Sequence, residues 1–173
     1  GAFGVVVPMV NSVEEAKQAV AACKYPPIGN RSVGGSQHAM HFKARPAEYF
    51  QKADDGILVV LQCEHIDAVR NADAIFGVEG IDAIFVGPND LAASMRGPDG
   101  SAPTAEATAK AHADILAACQ RQKVAPGFHA MNHHEAVKLL SDGWKFVAVA
   151  SDLRFLGDGA SEALKTVGLG TGE

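Results

Sequence analysis

The chain is short of cysteine and of positive charge, and each shortage removes a class of protein. Cys23, Cys63 and Cys119 stand far apart among 173 residues. They form neither a CxxC pair nor an even set, so neither a disulfide framework nor a cysteine-rich metal knuckle is expected. Three reduced thiols packed as small hydrophobes is the plain reading. Lys and Arg number 15 against 20 Asp and Glu, a net charge of −5, which offers no basic face to nucleic acid. No apolar run approaches the ~20 residues of a transmembrane helix. No charged segment followed by an apolar stretch marks a secretory signal. A cytoplasmic protein with neither a membrane nor a nucleic-acid partner is therefore expected. The first residue is Gly1 rather than methionine, and the natural N-terminus is expected upstream. Hydrophobic content of 47% with 20% charged residues suits one globular domain, residues 1–173, with a substantial core.

Strand-like and helix-like patterns alternate along the chain. Residues 4–10 form a valine-rich strand pattern. Ser12 and Glu15 have capping-box spacing and open a helix expected to reach Cys23. Residues 25–35, with two prolines and three glycines, read as a long loop, and 46–53 as a short helix. A strand is expected over 57–64, then helical spacing over 66–76 with a break near Asn71. A strand follows over 81–86 and a loop over 95–103. Next come an alanine-rich helix over 104–122, a strand over 124–128, and a helix over 132–141 capped by Asn132 with Glu135 three residues on. The last strand is expected over 146–150, a closing helix over 159–167 and a frayed tail over 168–173. No repeat or linker divides these elements. About five β/α units imply a parallel sheet. Periodicity alone leaves open whether it belongs to a TIM barrel or to an open doubly wound sheet.

Two of the strand ends carry chemistry. The run at 57–61 ends in Gln62-Cys63-Glu64, and the run at 81–86 in Gly87-Pro88-Asn89-Asp90-Leu91. Each delivers a carboxylate, Glu64 or Asp90, where its strand gives out. Two carboxylates raised from neighbouring parallel strands suit a hard cation. Mg²⁺ is commonly held by only one or two carboxylates, with substrate and water completing its shell. Gln62 shares strand parity with Glu64, so its amide is expected on the same face, with Cys63 on the other. The turn at Gly87-Pro88-Asn89 brings the main-chain N–H groups of Asn89 and Asp90 toward a substrate carboxylate.

These residues resemble the two metal-binding motifs of the HpcH/HpaI family, class II pyruvate-type aldolases related to the citrate lyase β and malyl-CoA lyase proteins. Val7-Pro8-Met9-Val10 and Tyr25-Pro26-Pro27-Ile28-Gly29-Asn30-Arg31 match two further family signatures in the right order. The similarity runs over about 4–164. The resemblance implies a partial TIM barrel whose units correspond to strands four to eight of eight. It implies Mg²⁺, Mn²⁺ or Co²⁺ on Glu64 and Asp90, and a substrate site formed with Gln62, Gly87, Pro88 and Asn89. It further implies cleavage or formation of the C–C bond of a 4-hydroxy-2-oxo acid, giving pyruvate and an aldehyde through a metal-stabilised enolate. The family's acid/base histidine and substrate arginine are expected upstream of Gly1, so no catalytic acid/base is assigned within the chain. Family members assemble as hexamers in which the C-terminal helix packs on a neighbour, so a homo-oligomer is expected here. With three units missing, the strand runs at 4–10 and 146–150 are expected as open apolar edges.

Other residues have plainer readings. Arg31 is expected to hold its loop through a carboxylate pair or to face the active site. Asp152 reads as a helix cap or loop anchor. His129, His133 and His134 include a zinc-like i, i+4 spacing but no HExxH glutamate, and a solvated first helical turn fits His133 and His134 better. A CoA-thioester lyase of the citrate lyase β type is the rival enzyme, although no basic adenine-binding surface marks it. A non-catalytic, truncated fragment is the rival outside enzymes.

Overall fold

The valine-rich runs become five parallel strands, and the amphipathic segments between them become helices. A computed structural model describes residues 1–169. The strands are β1 (Gly4–Val7), β2 (Leu58–Cys63), β3 (Ala83–Val86), β4 (Ala125–Ala130) and β5 (Phe146–Val149). Their order in space is their order in sequence, and every neighbouring pair is parallel. A doubly wound sheet reverses strand order at a switch point, whereas a TIM barrel adds each strand beside the last. The unbroken order resolves the choice that periodicity left open: this is a curled half-barrel, with β1 and β5 as its edges.

Local signals explain most helix boundaries. Helix α1 (Val13–Cys23) starts at Ser12, whose hydroxyl accepts the Glu15 N–H at 3.2 Å. Glu15 reaches back to the Asn11 N–H at 2.7 Å, one residue before the cap, so the capping box is offset rather than reciprocal. The loop after α1 is followed by α2 (Gln37–His41), a helix the sequence did not signal, and α3 (Pro46–Gly56), which runs past the expected end at residue 53. The expected break at Asn71 separates α4 (Ile66–Arg70) from α5 (Ala72–Phe76). After β3 comes α6 (Pro88–Ser94), where only a turn was expected. Proline at its first position costs no hydrogen bond, because that N–H lacks an intrahelical partner anyway. Helix α7 (Ala105–Gln122) ends on Lys123 in a left-handed conformation. Asn132 caps α8 (His133–Ser141) as expected, accepting the Glu135 N–H at 3.0 Å. The closing helix, expected from 159, already begins at Asp152: α9 (Asp152–Thr166) is capped by Ser151 and runs through Gly157 and Gly159. The tail expected over 168–173 lies, beyond residue 169, outside the described residues.

One face of the sheet packs under the helices. Val59, Leu61 and Cys63 of β2, Ile84 and Val86 of β3, and Phe128 and Ala130 of β4 meet Val20, Ile75, Phe76, Ile115 and Ala118 from α1, α5 and α7. Full burial of such an aliphatic side chain stabilises by about 1.5–3 kcal/mol. Arg121 of α7 grips Asp73 of α5 through two hydrogen bonds of 2.8 and 2.7 Å. A second cluster, Tyr25, Ala39, Tyr49 and Ala53 with Phe42 and Phe50, pins the long loop and α2 against α3. The other face of the sheet is concave and open. Val6, Leu58 and Phe146 are between 38% and 46% exposed there. Helix α9 buries none of its residues.

Candidate metal and active site

Because the strands are parallel and in sequence order, the carboxyl ends of β1, β2 and β3 lie side by side on one rim. Register pairs Gln62 with Phe85 and Cys63 with Val86, so Glu64 emerges beside Gly87. Glu64 is only 3% exposed. Its Oε1 accepts the Met9 main-chain N–H at 2.9 Å, and its Oε2 accepts the Gln62 amide at 3.1 Å. Gln62 and Glu64 thus share a face, as strand parity predicts. A Cβ at Gly87 would run into Glu64 Oε2, so a side chain there would push this carboxylate aside.

Asp90 stands in the first turn of α6 and is exposed. Asn89 is exposed beside it, while Gly87 and Pro88 are half-buried. Asn89 and Asp90 follow Pro88 within the helix's first turn, where main-chain N–H groups have no intrahelical acceptor. Ser94 fixes the far end of α6, accepting the Ile66 N–H at 3.0 Å and donating to the Leu91 carbonyl. On the concave face, the centre of the Phe85 ring is 6.5 Å from that of His129 and 5.7 Å from that of Phe146. Gly127 stands between β3 and β5 without a side chain, which lets Phe85 and Phe146 meet.

The donor set fits a hard divalent cation. Among the described residues no Lys, Arg or His forms an ion pair with Glu64, so a buried carboxylate is met only by two neutral donors. Burial of an unpaired charge is costly unless a cation or further hydrogen bonds compensate it. Each Glu64 oxygen retains a lone pair, and Asp90 makes no side-chain hydrogen bond among the described residues. No group of three or more His, Cys, Asp or Glu converges among them. The arrangement therefore suits a cation completed by substrate and water, as Mg²⁺ tolerates, and not an all-protein cage.

The remaining candidates fall away from this rim. Cys63 lies on the helix side of the sheet, where burial pushes its thiol up to about 12, as it does for Cys119. Neither is a thiolate nucleophile. Arg31 makes no carboxylate pair among the described residues, contrary to one expectation; its guanidinium lies 4.6 Å from the centre of the Tyr25 ring instead. Asp152 is the first residue of α9, directly after the Ser151 cap, and accepts the Leu153 N–H at 2.8 Å. His133 and His134 sit exposed in the first turn of α8, their rings 4.0 Å apart, while His129 belongs to β4. The sequence reading missed the Met9 N–H, because nothing in Val-Pro-Met-Val announces a turn that aims main chain at a residue 55 positions away.

A sequential parallel half-barrel of β/α units defines a class, the TIM-barrel-like α/β proteins. The particular family follows from comparison. The model of the HpcH/HpaI aldolase/citrate lyase family matches residues 1–158. The chain is 38% identical over 153 residues to the 2-keto-3-deoxy-L-rhamnonate aldolase of Salmonella schwarzengrund, covering 88% of this chain and 56% of that protein. It superposes on an HpcH/HpaI aldolase from Desulfitobacterium hafniense with a TM-score of 0.83 and 30% identity, over 96% of this chain and 64% of that one. A citrate lyase beta subunit from M. tuberculosis, complexed with oxaloacetate and magnesium, shares the fold at 13% identity, with a TM-score of 0.53 over 88% of this chain and 57% of that one. The chain belongs to the HpcH/HpaI aldolase/citrate lyase family, and it spans little more than half the length of the curated relatives it matches.

Proposed function

We propose that residues 1–173 are one part-barrel domain of a class II pyruvate aldolase, cleaving or forming the C–C bond of 4-hydroxy-2-oxo acids to give pyruvate and an aldehyde. The observation that carries this reading is Glu64: a buried carboxylate with no cationic partner among the described residues, opening onto the same rim as Asp90. Glu64 and Asp90 would hold Mg²⁺, Mn²⁺ or Co²⁺. When bound, such an ion polarises the keto group and stabilises the enolate charge that develops as the C–C bond breaks. Gln62 orients Glu64 and offers its remaining amide atoms to the substrate. Gly87 and Pro88 shape the turn, and the Asn89 N–H faces the carboxylate of the keto acid. The acid/base histidine and the substrate arginine that the family resemblance calls for are not assigned to any residue of this chain. The name of the Salmonella relative makes 2-keto-3-deoxy sugar acids the first substrates to try. A homo-oligomer, a hexamer by the resemblance, is supported by the exposed Leu153, Phe155, Leu156 and Leu164 of α9; light scattering tests it. A cytoplasmic location is part of the same proposal.

A pyruvate-release assay on the longer protein, with each metal, tests the function. Glu64→Ala and Asp90→Ala are expected to abolish metal-dependent turnover, whereas the exposed-site change Lys110→Ala leaves it intact. Undiminished turnover in both carboxylate variants would overturn the proposal. Absence of turnover in the parent with every keto acid and metal would favour the non-catalytic reading.

A further inference from the structure

Four non-glycine residues among those described adopt left-handed backbone: Met9, Lys43, Lys123 and Ala150. Three have an ordinary reason. Lys43 and Lys123 follow helix ends and Ala150 follows β5, and each sends its N–H to a main-chain carbonyl, Ala150 to that of Ala130 at the end of β4. Met9, at φ 54, sends its N–H to the Glu64 carboxylate. The left-handed region is costly for a residue with a Cβ, and such residues persist where the surrounding structure requires them. The Met9 side chain does not require it, because that side chain is 49% exposed and outside both apolar clusters. Val10, the next residue, is buried in the core, so the chain must turn inward there.

We infer that Met9 is a positioning residue whose main-chain N–H, presented by the left-handed turn after β1, sets the orientation of Glu64 for metal binding. This inference rests on the metal site proposed above. The remaining Glu64 oxygen is fixed by Gln62 from the residue's own strand. Met9 is the contact that comes from the neighbouring strand, and so it locks the carboxylate to β1 as well as to β2. Each strand end then contributes a different part: β1 a donor, β2 the buried carboxylate, β3 the space that carboxylate needs at Gly87. The role belongs to the backbone. It therefore depends on which φ the residue tolerates and on whether it has an N–H, and not on the thioether.

The test is Mn²⁺ affinity of the 173-residue chain, read by electron paramagnetic resonance of free Mn²⁺ with pyruvate present, alongside thermal melts. Met9→Val keeps the N–H but disfavours the left-handed turn, and Met9→Pro removes the N–H. Both are expected to weaken Mn²⁺ binding by about 10- to 100-fold, the range for loss of groups that orient a metal ligand. Met9→Gly, free to adopt the turn, is expected to recover affinity to within about 3-fold of the parent. A role of the side chain would give the opposite order, with glycine no better than valine. If Met9→Pro does not fold, the valine and glycine pair decides. Loss of binding in Glu64→Ala, together with unchanged binding in Met9→Val and Met9→Pro, would overturn the role of Met9 and leave the metal site standing. Unchanged binding in Glu64→Ala, or none in the parent, would overturn the metal site and this inference with it.

Discussion

The two faces of the one sheet differ in completeness. The helix-facing side is a finished core: Leu61 and Ile84 are sealed under α1, α5 and α7. The concave side carries the candidate site, yet Val6 and Leu58 lie open on it. In a closed barrel that side would be filled by side chains from the remaining strands. The contrast teaches that the packed core and the candidate site are drawn from opposite faces of the same strands. Along β2, Val59, Leu61 and Cys63 serve the core while Gln62, followed by Glu64, serves the rim.

The largest test of this contrast compares two truncations. Leu61→Ala is expected to destabilise the chain by about 2–5 kcal/mol. Val6→Ala on the open side should stay within about 0.5 kcal/mol. Denaturant melts on both measure the difference, and equal losses would mean the concave side is packed in solution. Gly127→Ala probes the part of the concave face that is filled. A Cβ there would meet the Ile84 and Phe146 carbonyl oxygens at 2.8 and 2.9 Å, and the backbone shift should cost about 1–3 kcal/mol. Gly87→Ala tests the rim. It should displace Glu64 and weaken Mn²⁺ binding by about 10-fold or more while the melting temperature changes less than in Gly127→Ala.

The smallest expected effect belongs to the helix layer. His112 of α7 packs edge-on against Phe128, and burial lowers its pKa, with Glu135 opposing that shift. The unfolded chain then takes up this proton more readily than the folded one. Stability is therefore retained above about pH 6.5 and declines as pH falls through that value. His112→Phe should flatten this part of the acid limb in melts recorded from pH 7.5 to 5. An unchanged slope would show that the limb comes from other groups.

Much of the fold was legible because its signals are local. The apolar run at 57–61 and capping at Ser12 and Asn132 need only neighbouring residues, and the elements they announce are present. Boundaries failed where a local signal misled. The closing helix was expected only from 159, but the first turn of α9 is capped by Ser151, whose hydroxyl accepts the Arg154 N–H at 3.2 Å. Helix α2 was invisible because Gln-His-Ala-Met-His has no helical stripe of its own. It is ordered by Ala39 packing among Tyr25, Tyr49 and Ala53, contacts that span the long loop.

The candidate site divides in the same way. Sequence was sufficient to place Glu64 just past the end of β2 and Gln62 on the face of Glu64, because strand parity is a periodic property of the chain; Asp90, expected where its strand gives out, stands instead in the first turn of α6. Sequence did not reveal that Glu64 is buried without a cation among the described residues, that Gly87 makes room for its Oε2, or that Met9 turns its N–H toward Oε1. Each of those depends on β1, β2 and β3 lying side by side in register. That adjacency brings together residues tens of positions apart, and a local pattern carries no record of it.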